Sequence, residues 1–333
     1  MSEVLPVAVV GCGRMGRLHA RVFSQMPRVK LVGVFDANTE AAEETAEKYG
    51  TVAASLETLL EQAKAVVIAV PTTFHLQTAK PFLERGIACL IEKPLAGNST
   101  EAKQIVELAK ANNATLQVGH IERFNPAVRA MLDLKIVPGF LEVTRISPLS
   151  FRSIDVGVVL DVMIHDIDIV LQLANSPLKT VDAVGVNVIG DAEDLCNVRM
   201  TFENGCVANL TASRLSMKTE RRLRAFSKDT YVSLDYQKKY GLAIRKSGNV
   251  DKVRDVVRQI KAGEIEDLSQ VNYTELVDVQ ELNIDDVEPL RAELEAFVDA
   301  AINKTPPVVS GADGLAAVEV AERIVTTMAK QAV

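Results

Sequence analysis

A chain of 333 residues has room for two domains of roughly 150 residues, each with its own core. Its 48% hydrophobic and 24% charged residues are ordinary for a globular protein, and a net charge of −7 argues against a nucleic-acid partner, which needs a basic face. Cys12, Cys89, Cys196 and Cys206 lack metal-ligand or C-x-x-C spacing, no apolar run approaches the ~18–20 residues of a membrane span, and no leader pattern opens the sequence, so reduced thiols and cytoplasmic residence away from membranes are expected.

The apolar run Pro6–Val10 predicts a first strand, and Gly11, Gly13 and Gly16 follow it directly as G-x-G-x-x-G. Glycine lets the chain turn sharply and bring backbone N–H groups against a pyrophosphate. A helix opening near Arg14-Met15 would aim its free amides and dipole at the two phosphates. Val29–Phe35 predicts the second strand, closed by Asp36 twenty residues past Gly16, where a carboxylate accepts from the ribose hydroxyls of an adenosine. A carboxylate repels a 2′-phosphate, and Ala37 and Asn38 supply no arginine to receive one. NAD is therefore expected over NADP.

Further along come a helix over Thr39–Tyr49, a short helix over Ser55–Gln62 and a buried strand over Ala65–Val70. A helix over about His75–Arg85 leads to a strand over Ala88–Glu92, then to a long helix over Ser99–Asn112 and a strand over Thr115–Gly119. Strands that read as continuous apolar runs between helices mean a parallel sheet covered on both faces, a doubly wound α/β domain over residues 1–120. Val70, Pro71 and Thr72 end the Ala65–Val70 strand where they could line the cofactor's phosphate and ribose side, and His75 opens the next helix, equally as a capping residue or a ligand contact. His19, one turn past the glycine loop, is expected to be structural. Glu92-Lys93-Pro94 sits at the carboxyl edge of the sheet, where open α/β sheets bind ligands. A lysine there can hydrogen-bond a substrate hydroxyl and stabilise developing alkoxide charge. His120, Arg123 and Asn125 follow the next strand and could face a cleft between domains, an arginine suiting a substrate phosphate, or could equally serve a structural role in joining the domains.

From Phe140 to about Ile244 the pattern changes to strand-like runs: Phe140–Ile146, Val181–Val188, Asn197–Phe202, Cys206–Ser213, Leu223–Phe226 and Tyr231–Tyr236. Glu203-Asn204-Gly205 between two of them signals a hairpin. An open, mostly antiparallel sheet is expected over residues 121–333, interrupted by a helix from Val158 to about Ala174. The basic run Glu220–Arg224 alternates like a strand and reads as a solvated or interface face that could also serve a diphosphate. Residues 248–286 are polar and weakly periodic and read as a loop or peripheral arm. The tail returns to helix over Glu288–Asn303 and Ala312–Lys330.

Within the interrupting helix, Asp161, His165 and Asp168 are spaced four and three apart, which puts them on one helical face. An imidazole flanked by carboxylates can take a proton from an alcohol as hydride leaves its carbon. The same spacing suits metal ligation, but no third or fourth ligand is evident, so no metal is expected.

Taken together, Gly11-Cys12-Gly13-Arg14-Met15-Gly16, Val70-Pro71-Thr72 with His75, Glu92-Lys93-Pro94, Asp161 through Asp168 and Pro289–Phe297 occur in the order seen in the Gfo/Idh/MocA oxidoreductases, which the chain resembles over nearly its whole length. The resemblance implies a Rossmann domain for the cofactor, a second α/β domain for substrate and oligomerisation, and homodimers or homotetramers formed through the open sheet. It implies a catalytic trio of Lys93, Asp161 and His165: His165 as general base with Asp161 beside it, Lys93 polarising the hydroxyl. It further implies cofactor contacts from Gly11, Gly13, Arg14, Met15, Asp36, Val70, Pro71, Thr72, His75, Glu92 and Lys93. Substrate contacts would come from Lys93, His120, Arg123, Asn125, Asp161 and His165. Met163 and Ile121 depart from the family pattern, where glycine and asparagine are usual. The segment Val118–Pro126 looks like that of the nucleotide-sugar members, which oxidise the C3 hydroxyl of UDP-N-acetylglucosamine or its uronic acid. A dehydrogenase of free sugars, inositols or dihydrodiols is the alternative, and a non-catalytic NAD-sensing regulator would be expected to lose the Lys93–His165 pair.

Overall fold

In the computed structural model, residues 4–149, 156–189, 191–246, 250–264 and 277–331 are described. Five apolar strands, β1 (Leu5–Val10), β2 (Val29–Phe35), β3 (Ala65–Ile68), β4 (Ala88–Glu92) and β5 (Leu116–Gly119), pair in parallel in the order β2-β1-β3-β4-β5. The period of two along β1 sends Val7 and Val9 to one face and Ala8 and Val10 to the other. On the first face lie α1 (Arg14–Ser24) and α9 (Pro289–Asn303), which supply Phe23 and Phe297. On the second lie α4 (His75–Glu84) and α5 (Ser99–Ala111), which supply Phe82 and Ile105. Each of these four side chains is at most 1% exposed, and burial of an apolar side chain of this size stabilises by about 1.5–3 kcal/mol.

Between β2 and β3 run α2 (Thr39–Tyr49), capped by Asn38 accepting from the Ala41 amide, and α3 (Leu56–Gln62), capped by Ser55 accepting from the Thr58 amide. Strand β3 ends at Ile68 rather than Val70, and Thr72–Phe74 forms a 3₁₀ turn before α4. Another 3₁₀ turn, Ile121–Phe124, follows β5 and leads into α6 (Pro126–Asp133), a helix not predicted from the sequence. Its signal is present all the same: Asn125 caps it by accepting from the Ala127 amide, and Pro126 takes the first helical position.

The second sheet contains β6 (Phe140–Ile146), β7 (Leu178–Val186), β8 (Leu195–Phe202), β9 (Val207–Ser213), β10 (Glu220–Phe226), β11 (Thr230–Asp235), β12 (Tyr240–Lys246) and β13 (Val277–Glu281), ordered β13-β12-β11-β10-β6-β9-β8-β7. Every pairing is antiparallel except β6 with β9. The reading of 248–286 as a loop or arm is corrected where that stretch is described, since α8 (Val250–Lys261) and β13 lie within it. One face of the sheet packs under α7 (Ile164–Ala174) and α10 (Gly311–Gln331), with Leu141, Val143, Met200 and Leu223 in the core.

The two sheets divide near residue 120, and the tail crosses that division. Helix α9 packs on α1, while α10 touches both α5 and β7. The tail thereby ties the two sheets together.

Candidate active site

Gly11 has φ +98°, and a Cβ there would stand 2.4 Å from the Ala69 carbonyl oxygen; a Cβ on Gly16 would stand 1.7 Å from the carbonyl oxygen of Gly11. No side chain fits at either position, so β1, the turn and α1 close up on one another. Gly13 differs, with only open space where its Cβ would project. It precedes α1 with no side-chain cap, leaving the first amides of the helix free to bind phosphate. Asp36 is fixed at the end of β2, its Oδ2 accepting from the Cys12 amide at 2.6 Å and its Oδ1 from the Asn38 amide at 2.8 Å. These residues fit a dinucleotide: a bare helix start for the phosphates and an oriented carboxylate for the ribose.

A cavity of about 510 Å³ opens beside this turn, at the carboxyl edge of the sheet. Arg14, Met15 and Leu18 of α1 line one wall, and Glu92 and Lys93 the floor. Asp161, Val162 and His165 come from the second domain. Lys93 Nζ donates to the main-chain oxygen of Asp161 at 2.7 Å and lies 3.5 Å from its carboxylate. The ammonium has three donors, so one remains for a substrate oxygen. Glu92, behind it, is buried and bonded to His19 Nε2 at 2.6 Å. The His19 contact and the neighbouring Lys93 charge keep the Glu92 carboxyl below its ordinary range against the opposing effect of burial. His19 is structural, as expected.

The helix bearing Asp161 does not start as a regular α-helix. Val159–Met163 forms a π turn, and α7 begins only at Ile164. A wider turn of this kind shifts the angular spacing of the side chains before it. Asp161 points to Lys93, while Asp168 is buried beneath the Arg123 guanidinium, which donates to it from Nε at 2.7 Å and from an Nη at 3.0 Å. The expectation of an imidazole flanked by two carboxylates is corrected accordingly. His165 lines the cavity, its Nδ1 is buried without a hydrogen-bond partner, and burial together with the Lys93 ammonium holds its pKa well below the ordinary histidine value. The ring is neutral at physiological pH and can accept a proton.

Four further expectations of direct contact are corrected. His75 is 1% exposed with its ring nitrogens bonded to the carbonyl oxygens of Leu95 and Val70, so it ties two loops together and does not face a ligand. Arg123 does not line the cavity; its charge is engaged by Asp168, Gln172 and Asp313. Asn125 caps α6 and donates to Glu122. His120, 1% exposed, packs edge-on against His165 and stands behind it. Met163 is buried in the core under the second sheet and is not among the residues lining the cavity, whereas Ile121 lines it.

Other lining residues were not singled out from the sequence: Glu122, Arg145, Ser147 and Glu288. Arg145 is 4% exposed and holds the Asp166 carboxylate through two 2.8 Å bonds and Glu122 through one. A signal for it existed, because Arg145 shares the core face of β6 with Leu141 and Val143, where an arginine requires buried partners. The basic run 220–224 is split by strand alternation. Arg221 faces the cavity with a single 3.5 Å contact to Glu122, while Arg222 and Arg224 lie on the open face with Asp235 and Glu142.

Residues 5–120 match the model of the oxidoreductase family with an NAD-binding Rossmann fold, and residues 149–230 match the Gfo/Idh/MocA C-terminal domain. A UDP-N-acetylglucosamine 3-dehydrogenase of Acidithiobacillus ferrooxidans is 39% identical over 230 residues, 68% of this chain and 73% of that protein. The chain belongs to the Gfo/Idh/MocA oxidoreductase family. The solved structure of the Acidithiobacillus enzyme superposes with a TM-score of 0.86 at 30% identity over 97% of each chain. An inositol 2-dehydrogenase of Rhizobium meliloti is 26% identical over 97% of this chain and 96% of that one. The family fold, a parallel cofactor sheet joined to a mostly antiparallel one, is the architecture described above, and among the described residues no helix is long and apolar enough to cross a membrane.

Proposed function

We propose that this oxidoreductase uses NAD to oxidise the C3 hydroxyl of UDP-N-acetylglucosamine. The observation that carries the reading is the convergence of Lys93, Asp161 and His165 on one cavity beside the bare start of α1. The likeness to the Acidithiobacillus enzyme supports the substrate. A dinucleotide held by the start of α1 and Asp36 would supply the hydride acceptor. Lys93 donates to the substrate hydroxyl oxygen and stabilises the negative charge that grows there. His165, neutral because of burial and the nearby ammonium, accepts the hydroxyl proton. Asp161 holds Lys93 in place. Arg221, half-exposed at the cavity wall, meets the substrate diphosphate.

Asp36 favours NAD over NADP, since its carboxylate would face a 2′-phosphate. Residues 1–120 bind the cofactor, and residues 121–333 bind substrate and assemble a homodimer or homotetramer through the open face of the second sheet, in the cytoplasm. Incubation with NAD, UDP-N-acetylglucosamine and a coupled aminotransferase tests the substrate, with mass spectrometry of the products. A 3-keto sugar or its amine supports the reading. Turnover of free inositols or sugars with none of the nucleotide sugar would transfer the protein to the alternative substrate class, and no hydride transfer to NAD from either would defeat the enzymatic reading.

A further inference from the structure

His120 follows β5 and precedes the 3₁₀ turn Ile121–Phe124, and neither of its ring nitrogens has a hydrogen-bond partner. Its ring stands edge-on to that of His165, with centroids 6.5 Å apart and planes at 86°. Nδ1 of His165 is also buried and unpartnered. A neutral imidazole carries one donor and one acceptor, and each costs free energy when buried bare. Three such nitrogens therefore lie on two facing rings. At this separation the nitrogens cannot meet directly, because an N–H···N bond requires about 3 Å between them. A single internal water, which needs two to four polar partners, is the smallest group that could bridge such a gap.

The surroundings keep both rings neutral. Burial lowers the pKa of His120, opposed by the Asp168 carboxylate, with Arg123, Lys93 and Glu92 also acting on it. Burial, Lys93, Arg145, His120 and Arg221 all lower that of His165. With both rings neutral, what is left to specify is which nitrogen of His165 holds the proton. The base works only if its cavity-facing nitrogen, Nε2, has the free lone pair, which places the proton on Nδ1.

We propose that His120 is a positioning residue for His165: through one bridging water it accepts the Nδ1–H of His165 and fixes the tautomer that leaves Nε2 free to take the substrate's hydroxyl proton. The proposal rests on the reading of His165 as the base. It gives a function to a buried histidine that does not line the cavity.

The chain has four histidines, so ring nitrogen NMR of ¹⁵N-histidine-labelled, full-length protein yields four resolvable pairs, with His165 assigned from His165→Gln. The wild type should show His165 as a single Nδ1–H tautomer. His120→Phe, which keeps an aromatic ring and removes both nitrogens, should leave His165 with mixed tautomers and lower kcat at least tenfold at unchanged KM. The wrong tautomer in a histidine-based site can cost up to ~10⁴. His120→Gln, which restores a polar partner, should recover a single tautomer and part of the rate. A wild-type His165 in the Nε2–H form overturns the proposal whether or not the variants fold. An unchanged tautomer in His120→Phe also overturns it, as does equal behaviour of the Phe and Gln variants. Because tautomers are read without turnover, a tautomer result as described with no oxidation of any sugar would defeat the functional reading and leave the coupling of the two histidines standing.

Discussion

Replacing Lys93 with methionine probes the charge around which the site is built. The side chain is 21% exposed, and its ammonium is held by the Asp161 main-chain oxygen at 2.7 Å and faces that residue's carboxylate at 3.5 Å. Methionine keeps most of the length and removes the donors and the charge. Loss of one preorganised donor to a developing oxyanion costs about 2.7–4 kcal/mol, or ~10²–10³ in kcat. A second effect follows in the pH profile. After burial, the Lys93 ammonium is the largest influence holding the His165 pKa below its ordinary 6.5. Without it that pKa rises, and since the base acts only when unprotonated, the acid limb of the rate profile must move to higher pH. Steady-state NADH formation from UDP-N-acetylglucosamine across pH measures both. A loss smaller than tenfold, or an acid limb that stays in place or moves to lower pH, would refute the assignment of Lys93 as the electrostatic centre.

Asp36→Ala should erode a wild-type NAD preference of at least tenfold in kcat/KM, about 1.4 kcal/mol; it also removes acceptors for the Cys12 and Asn38 amides, so affinity for NAD itself should fall. Unchanged selectivity would exclude the carboxylate as the discriminating group. Arg221→Ala should raise KM for the nucleotide sugar ten- to hundredfold, the ~1.5–3 kcal/mol of a charge-assisted bond, with kcat nearly constant; a fall in kcat at constant KM would contradict a purely binding role. Glu293 is fully buried without a hydrogen-bond partner for either carboxyl oxygen, and burial, reinforced by Glu92, pushes its pKa well above the ordinary 4.5. Both states are protonated below the ordinary value, so stability is full there. Above it the unfolded chain loses the proton first, and stability falls by up to about 1.4 kcal/mol per pH unit until the folded pKa is passed. Glu293→Gln should flatten the decline in Tm between mildly acid and mildly alkaline buffer; an equally steep decline in the variant would exclude Glu293 as its source.

The cofactor half of the molecule was readable because its determinants are local. Continuous runs such as Ala65–Ile68 announce a strand buried on both faces, and Gly11 and Gly16 stand where no Cβ fits. Lys93, Asp161 and His165 were also legible as short motifs, and the structure gathers them around one cavity. What escaped the sequence depends on residues far apart in the chain. Whether Arg123 faces a substrate or Asp168 is decided by packing across 45 positions, and the same holds for Arg145 with Asp166. The π turn at Val159–Met163 has no periodic signature, since it alters spacing only once the helix is built against its neighbours. Helix α8 and strand β13 were missed although Val250, Val253, Val257 and Ile260 recur at helical spacing and Val277 and Val279 alternate as in a strand, because the polar residues between them dominated the composition of the stretch.

The proposed reaction passes hydride from a sugar carbon to NAD with the assistance of Lys93 and His165. A single turnover with UDP-N-acetylglucosamine deuterated at C3 tests it most directly, with the reduced dinucleotide analysed by mass spectrometry. Deuterium should appear in the nicotinamide with the wild type and be reduced at least hundredfold in rate with His165→Ala. Unlabelled NADH, or full-rate deuterium transfer by the His165 variant, would contradict the account.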